Sequence, residues 1–195
     1  QKIKMFNKLN VDIVVFNDFN DDFSYIQADD FINEILLKNY NVKYIVVGYN
    51  FRFGYKGIGD IYMLKKLSLK KGFKLVVIPP VKINSEIVSS SLIRSLIKNG
   101  DVKKAKYYLG QPYCITGKIV NGFKRGRVLG YPTANLKFSS NKIIPKFGVY
   151  LTIGFIDNMV LWGLTNVGQN PTFNQNGVHI ETHFLGFSDD IYEKT

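Results

Sequence analysis

The sequence predicts an α/β half followed by an antiparallel β half. Two patterns and the bulk composition carry the prediction. Short, nearly continuous apolar runs at residues 12–16, 43–48 and 74–78 alternate with helical periods, as in a parallel sheet covered on both faces. After Gly110 the period changes to strand-length segments broken by Gly, Asn and Asp turns. Hydrophobic residues make up 46% and aromatic residues 14%, a composition that orders and does not suit a disordered chain.

Taken in order, residues 2–9 read as the end of a helix and 12–16 as the first buried strand. A helix follows from Asp29, capped by Asp29 or Asp30 and striped by Phe31, Ile32, Ile35 and Leu36. Residues 43–48 form the next strand. Ile61, Leu64 and Leu67 then make one face of a helix that begins near Asp60 and stops at Gly72. The third strand, residues 74–78, ends at Pro79 and Pro80. A helix opens at the serine run, capped by Ser90 or Ser91, with Leu92, Ile93, Leu96 and Ile97 as its stripe. Another, capped by Asp101 and striped by Val102, Ala105 and Leu109, closes at Gly110. Residues 113–120, 148–155, 159–167 and 178–187 read as strands of the second half, with Trp162 in its core.

At 195 residues the chain has room for one large domain or two small ones. The longest apolar runs, residues 44–48 and 75–80, are far too short to cross a bilayer, and no signal-peptide pattern opens the chain, so we expect a soluble protein without a membrane partner. Its single cysteine, Cys114, points to the cytosol and reads as a buried small hydrophobe. The 26 Lys and Arg against 15 Asp and Glu give a net charge of +11. The lysines are scattered along exposed helix positions such as Lys65, Lys66, Lys103 and Lys104. The charge therefore favours anionic ligands in general and does not select nucleic acid. The chain opens on Gln1 and not on methionine, which leads us to expect further sequence upstream.

Two stretches suit phosphate chemistry. Ser89, Ser90 and Ser91 open a helix with Arg94 one turn inside, so free amides, hydroxyls and a guanidinium share one helix end. A lone capping serine would account for part of that pattern. The second stretch, residues 122–135, reads Gly-Phe-Lys-Arg-Gly-Arg-Val-Leu-Gly-Tyr-Pro-Thr-Ala-Asn. Its glycines let backbone approach an anion, Lys124 and Arg127 neutralise it, and the Thr133 and Asn135 oxygens suit a hard cation. By composition alone it is equally a basic hairpin. Thr133 and Asn135 alternate onto one side of an extended segment, where both can reach one ion. His179, Glu181 and His183 also share one strand face, so His-x-Glu-x-His is a candidate zinc or iron site, on a par with a plain polar strand face.

These motifs resemble a known family. Val-Ser-Ser-Ser-x-Ile-Arg resembles the second ATP signature of the nucleotidylyltransferase superfamily. Val-Val-Gly-Tyr-Asn-Phe-Arg-Phe-Gly is similar to a flavin-side motif of bacterial bifunctional FAD synthetases, which join riboflavin kinase to FMN adenylyltransferase. Residues 122–135, Pro-Lys-Phe-Gly-Val-Tyr from Pro145, Asn-Val-Gly-Gln-Asn-Pro-Thr-Phe from Asn166 and Ile-Glu-Thr-His-Phe from Ile180 resemble the kinase module in order.

The resemblance implies a parallel, Rossmann-like α/β adenylyltransferase domain over residues 1–109 and an antiparallel β-barrel riboflavin kinase domain over 110–195. It implies riboflavin, FMN and ATP as substrates and Mg²⁺ as cofactor, with no nucleic acid; a homo-oligomer is left open. Asn50, Phe51, Arg52 and Phe53 would face the flavin. Ser89, Ser90, Ser91 and Arg94 would hold ATP phosphates in adenylyl transfer. Gly122, Lys124, Gly126, Arg127 and Gly130 would cover the kinase nucleotide, Thr133 and Asn135 would meet Mg²⁺ and the phosphates, and Glu181 would be the general base. In that context Glu181 as base is favoured over the metal site. The superfamily's His-x-Gly-His element and first strand are not in the chain, nor is the family's C-terminal helix, so the fragment is expected to be incomplete for both activities. The rivals are a basic nucleic-acid-binding protein and a nucleotidylyltransferase of another substrate with an accessory β domain.

Overall fold

The computed structural model describes residues 2–120, 130–157, 159–169, 177–187, 189 and 191. They fall into two compact units, residues 1–81 and 82–195. No helix among the described residues is long and apolar enough to cross a membrane.

The first unit begins with α1 (Lys2–Lys8), followed by α2 (Asp21–Ser24) and α3 (Ala28–Asp30), the last running into a wide π-type turn segment, Phe31–Asn39. Strands β1 (Tyr44–Gly48) and β2 (Lys74–Ile78) pair in parallel with Tyr44 opposite Lys74 and Gly48 opposite Ile78. Helix α4 (Ile61–Lys71) connects them: the Asp60 carboxylate accepts from the Met63 amide, and Gly72 ends the helix in the left-handed conformation. Leu64 and Leu67 of α4 pack with Ile45 and Val47 of β1, Ile32, Phe53 and Phe73 into the unit's core. Gly54 is required where it stands. Its φ is +73°, and a Cβ there would come within 2.5 Å of the Ala28 backbone.

Several expectations are corrected here. Residues 12–16 form no strand: Ile13 is 80% and Phe16 68% exposed, and β1 pairs with β2 alone among the described residues. An apolar run becomes a buried strand only where an edge and covering elements receive it. The helix expected from Asp29 starts at Ala28, and the residue at its N-cap, Gln27, makes no side-chain cap. Asp29 and Asp30 occupy its first turn, where carboxylates favour the positive helix end without capping it.

The second unit opens with a small hairpin, β3 (Lys82–Ile83) and β4 (Glu86–Ile87), and helices α5 (Ser90–Lys98) and α6 (Val102–Leu109). The α5 cap is Ser89, one residue before the expected position; its hydroxyl accepts from the Leu92 amide at 3.2 Å. Asp101 caps α6 as its sequence predicts. The Tyr108 hydroxyl donates to the Glu86 carboxylate and so joins α6 to β4.

An antiparallel sheet follows, built from β5 (Gly117–Val120), β6 (Ala134–Phe138), β7 (Gly148–Ile156), β8 (Met159–Gln169) and β9 (Val178–Phe184) in the order β5-β6-β9-β8-β7. Among the described residues it is an open five-stranded sheet and not the closed barrel expected. The strand expected from Tyr113 begins only at Gly117, and the Tyr113 hydroxyl donates to the Ile143 carbonyl.

One face of the sheet is core, with Ile119, Ala134, Ile156 and Phe184 buried in one cluster. It also carries a hydroxyl chain: Thr152 donates to the Gly163 carbonyl, so Thr165 donates to Thr152 and Thr182 to Thr165, both at 2.8 Å. Trp162 lies on the other face and is 53% exposed, correcting its placement in the core. Cys114 is likewise exposed and not buried.

Candidate functional site

The face that carries Trp162 also carries most of the sequence-predicted kinase residues that are described. Register sets them side by side. Asn135 of β6 pairs with Glu181 of β9, and Glu181 pairs on its other side with Asn166 of β8. Directly opposed side chains on one sheet face have Cβ atoms about 4.5–5.5 Å apart. The carboxylate therefore stands between two amides. Thr133 lies one residue before β6 begins. Extended backbone through Thr133 would carry it to the face of Asn135 and Glu181.

The Glu181 carboxylate makes no hydrogen bond or ion pair with another described residue. A half-buried carboxylate standing between amides, with no cation paired to it among the described residues, keeps its lone pairs available to accept a proton. Thr133 and Asn135 add a hydroxyl and an amide carbonyl, hard oxygen donors of the kind magnesium takes.

The two histidines point to different partners. The Asn166 amide nitrogen donates to His179 Nε2 at 3.3 Å, which puts the neutral ring's proton on Nδ1, a buried atom without a partner among the described residues. The ring lies over Gly168, where a Cβ would come within 2.9 Å of it. His183 Nδ1 instead donates to the Pro132 carbonyl at 2.9 Å. Among the described residues no three His, Cys, Asp or Glu side chains converge on a metal position. Sequence reasoning missed Asn166 as a neighbour of Glu181. The only local signal was its place in Asn-Val-Gly, which says nothing about which residue it will face.

Gly130 is exposed in a left-handed turn at φ +82° just before this face. Gly122, Lys124, Gly126 and Arg127 lie outside the described residues.

The remaining predicted residues belong to other places. Ser89, Ser90, Ser91 and Arg94 are exposed at the start of α5. Ser89 is engaged as the cap, while Arg94 follows Ser90 and Ser91 by one turn and so lies on their side of the helix. In the first unit, Phe53 is 6% exposed and stacks on Phe51 with ring centroids 5.7 Å apart. Phe53 is thus a core residue. Asn50 and Arg52 are exposed, and the Arg52 guanidinium lies 3.7 Å from the Asp60 carboxylate.

Comparison with known proteins adds three findings. Residues 109–195 match the family model described as riboflavin kinase, and residues 1–92 the one described as FAD synthetase. The chain is 35% identical over 99% of its length to a bifunctional riboflavin kinase/FMN adenylyltransferase of Buchnera aphidicola, of which it covers 63%. It is 33% identical over 98% of its length to the Bacillus subtilis protein of the same description, of which it covers 61%. The chain therefore spans less than two thirds of these relatives. A crystal structure described as a macrolide-efflux protein from Streptococcus pneumoniae superposes with a TM-score of 0.88 at 30% identity, covering 99% of this chain and 62% of that one.

Proposed function

The chain belongs to the FAD synthetase family, and on that premise we propose that its protein phosphorylates riboflavin to FMN and adenylylates FMN to FAD, with ATP as co-substrate of both steps. The observation that carries the kinase half is the cross-strand row Asn135–Glu181–Asn166.

Phosphoryl transfer asks the protein to align the reactants, neutralise charge and accept one proton. In our reading Glu181 takes the proton of the riboflavin 5′-hydroxyl as its oxygen attacks the γ-phosphorus and ADP leaves. Thr133 and Asn135 bind the nucleotide's phosphates and are the residues that would hold Mg²⁺, whose donor preference they fit. Bound Mg²⁺ would supply neutralisation of phosphate charge. Gly122, Lys124, Gly126, Arg127 and Gly130 would cover the nucleotide.

For adenylyl transfer, Ser90, Ser91 and Arg94 at the start of α5 suit ATP phosphates, with Ser89 holding the helix end that presents them. Asn50 and Arg52 would meet the flavin nucleotide, while Phe51 and Phe53 would stiffen their loop. We assign adenylyl transfer to residues 1–109 and riboflavin phosphorylation to 110–195, and place both in the cytoplasm.

The test is a pair of assays on the full-length protein. Riboflavin with Mg·ATP should yield FMN, and FMN with Mg·ATP should yield FAD. Failure of either assay removes that activity from the proposal.

A further inference from the structure

His183 stands on β9 two residues past Glu181 and on the same face, yet the phosphoryl-transfer chemistry above gives it no task. Its Nδ1 lies 2.9 Å from the Pro132 carbonyl oxygen. A carbonyl only accepts, so Nδ1 carries the proton in both the neutral and the cationic ring. The ring also meets Tyr131 edge-on, with centroids 5.4 Å apart and planes at 79°. Strand β6 begins only at Ala134. The imidazole therefore fastens the approach to β6, before its ladder starts, to the strand that bears Glu181. The next residue after Pro132 is Thr133, the last before β6 begins.

We propose that His183 is a positioning residue for phosphoryl transfer: its Nδ1–H holds Pro132, and thereby the Thr133 hydroxyl, in a fixed place relative to Glu181. The proposal rests on the kinase reading of this face. It requires a donor at the δ position of the side chain and none at the ε position. Asparagine carries an N–H at the equivalent of Nδ1, whereas glutamine carries one at the equivalent of Nε2. Because the donor persists in both protonation states, the role is independent of pH.

The test is steady-state riboflavin phosphorylation by full-length H183A, H183Q, H183N and E181Q. H183A and H183Q should raise KM for Mg·ATP about fivefold or more, the scale of one lost hydrogen bond. They should leave KM for riboflavin and the shape of the pH profile unchanged. H183N should stay close to wild type. Should H183A fail to fold, the comparison of H183N with H183Q decides alone. Rescue by H183Q and not H183N, or a lowered thermal midpoint in H183A with an unchanged KM for Mg·ATP, overturns the proposal. A changed pH profile in H183N overturns it too, since that would make His183 a proton carrier. Turnover kept by E181Q overturns the kinase reading beneath it, whereas turnover lost in E181Q beside a wild-type H183A overturns the proposal alone.

Discussion

A carboxylate accepts a proton from an attacking hydroxyl only if no fixed cation already claims its lone pairs and its neighbours hold it in place. No cation is paired with Glu181 among the described residues, and Asn135 and Asn166 stand in register on its two sides. In the proposed site Thr133 and Asn135 supply oxygen donors to the metal nucleotide, so their loss should be felt through it and not through the flavin. Thr133→Ala or Asn135→Ala should raise the Mg²⁺ concentration for half-maximal kinase activity by about 10- to 100-fold, the range seen when a metal site loses supporting groups. A magnesium titration checks this, and an unchanged midpoint would count against both roles. At this scale the candidate face was partly legible in the sequence. Period-2 alternation put Thr133 with Asn135, and His179 with Glu181 and His183. Asn166 and the link from His183 to Pro132 were not legible, because strand register decides them and register is not a local property.

Among the elements, helix ends and turns were read best, since caps act over three or four residues. Asp60, Gly72, Asp101 and Gly110 all cap as their sequence predicts. Residues 12–16 failed because an apolar run specifies burial and not a partner, and no strand takes them up. The link between α6 and β4 was invisible as well, Tyr108 and Glu86 lying 22 residues apart. That hydrogen bond, with burial adding to it, pushes the Tyr108 phenol up to about 12. A raised value means the neutral phenol stabilises the fold fully below its ordinary value of 10.0 and loses that contribution as pH climbs towards 12. Tyr108→Phe should therefore lower the thermal midpoint by a few degrees at pH 8, and the gap to wild type should have narrowed at pH 11, on the way to closing near pH 12. Melting curves at the two pH values check it, and a gap of equal size at both would contradict it.

In the molecule as a whole, the change of hydrophobic period after Gly110 correctly announced an antiparallel sheet, and the parallel pair β1–β2 bears out an α/β first half in outline. The exposure of Trp162 was not legible, since alternation along β8 gives two faces and does not say which is covered. The central claim is that the open face bringing β6, β9 and β8 together is a phosphoryl-transfer site with Glu181 as its base. General-base catalysis is worth about 10²- to 10⁴-fold in rate. The most direct measurement is kcat for riboflavin phosphorylation by full-length Glu181→Gln, together with Mg·ATP binding by the same variant. The account predicts that kcat falls by at least about 10²-fold while Mg·ATP affinity stays near wild type; turnover at the wild-type rate would contradict it.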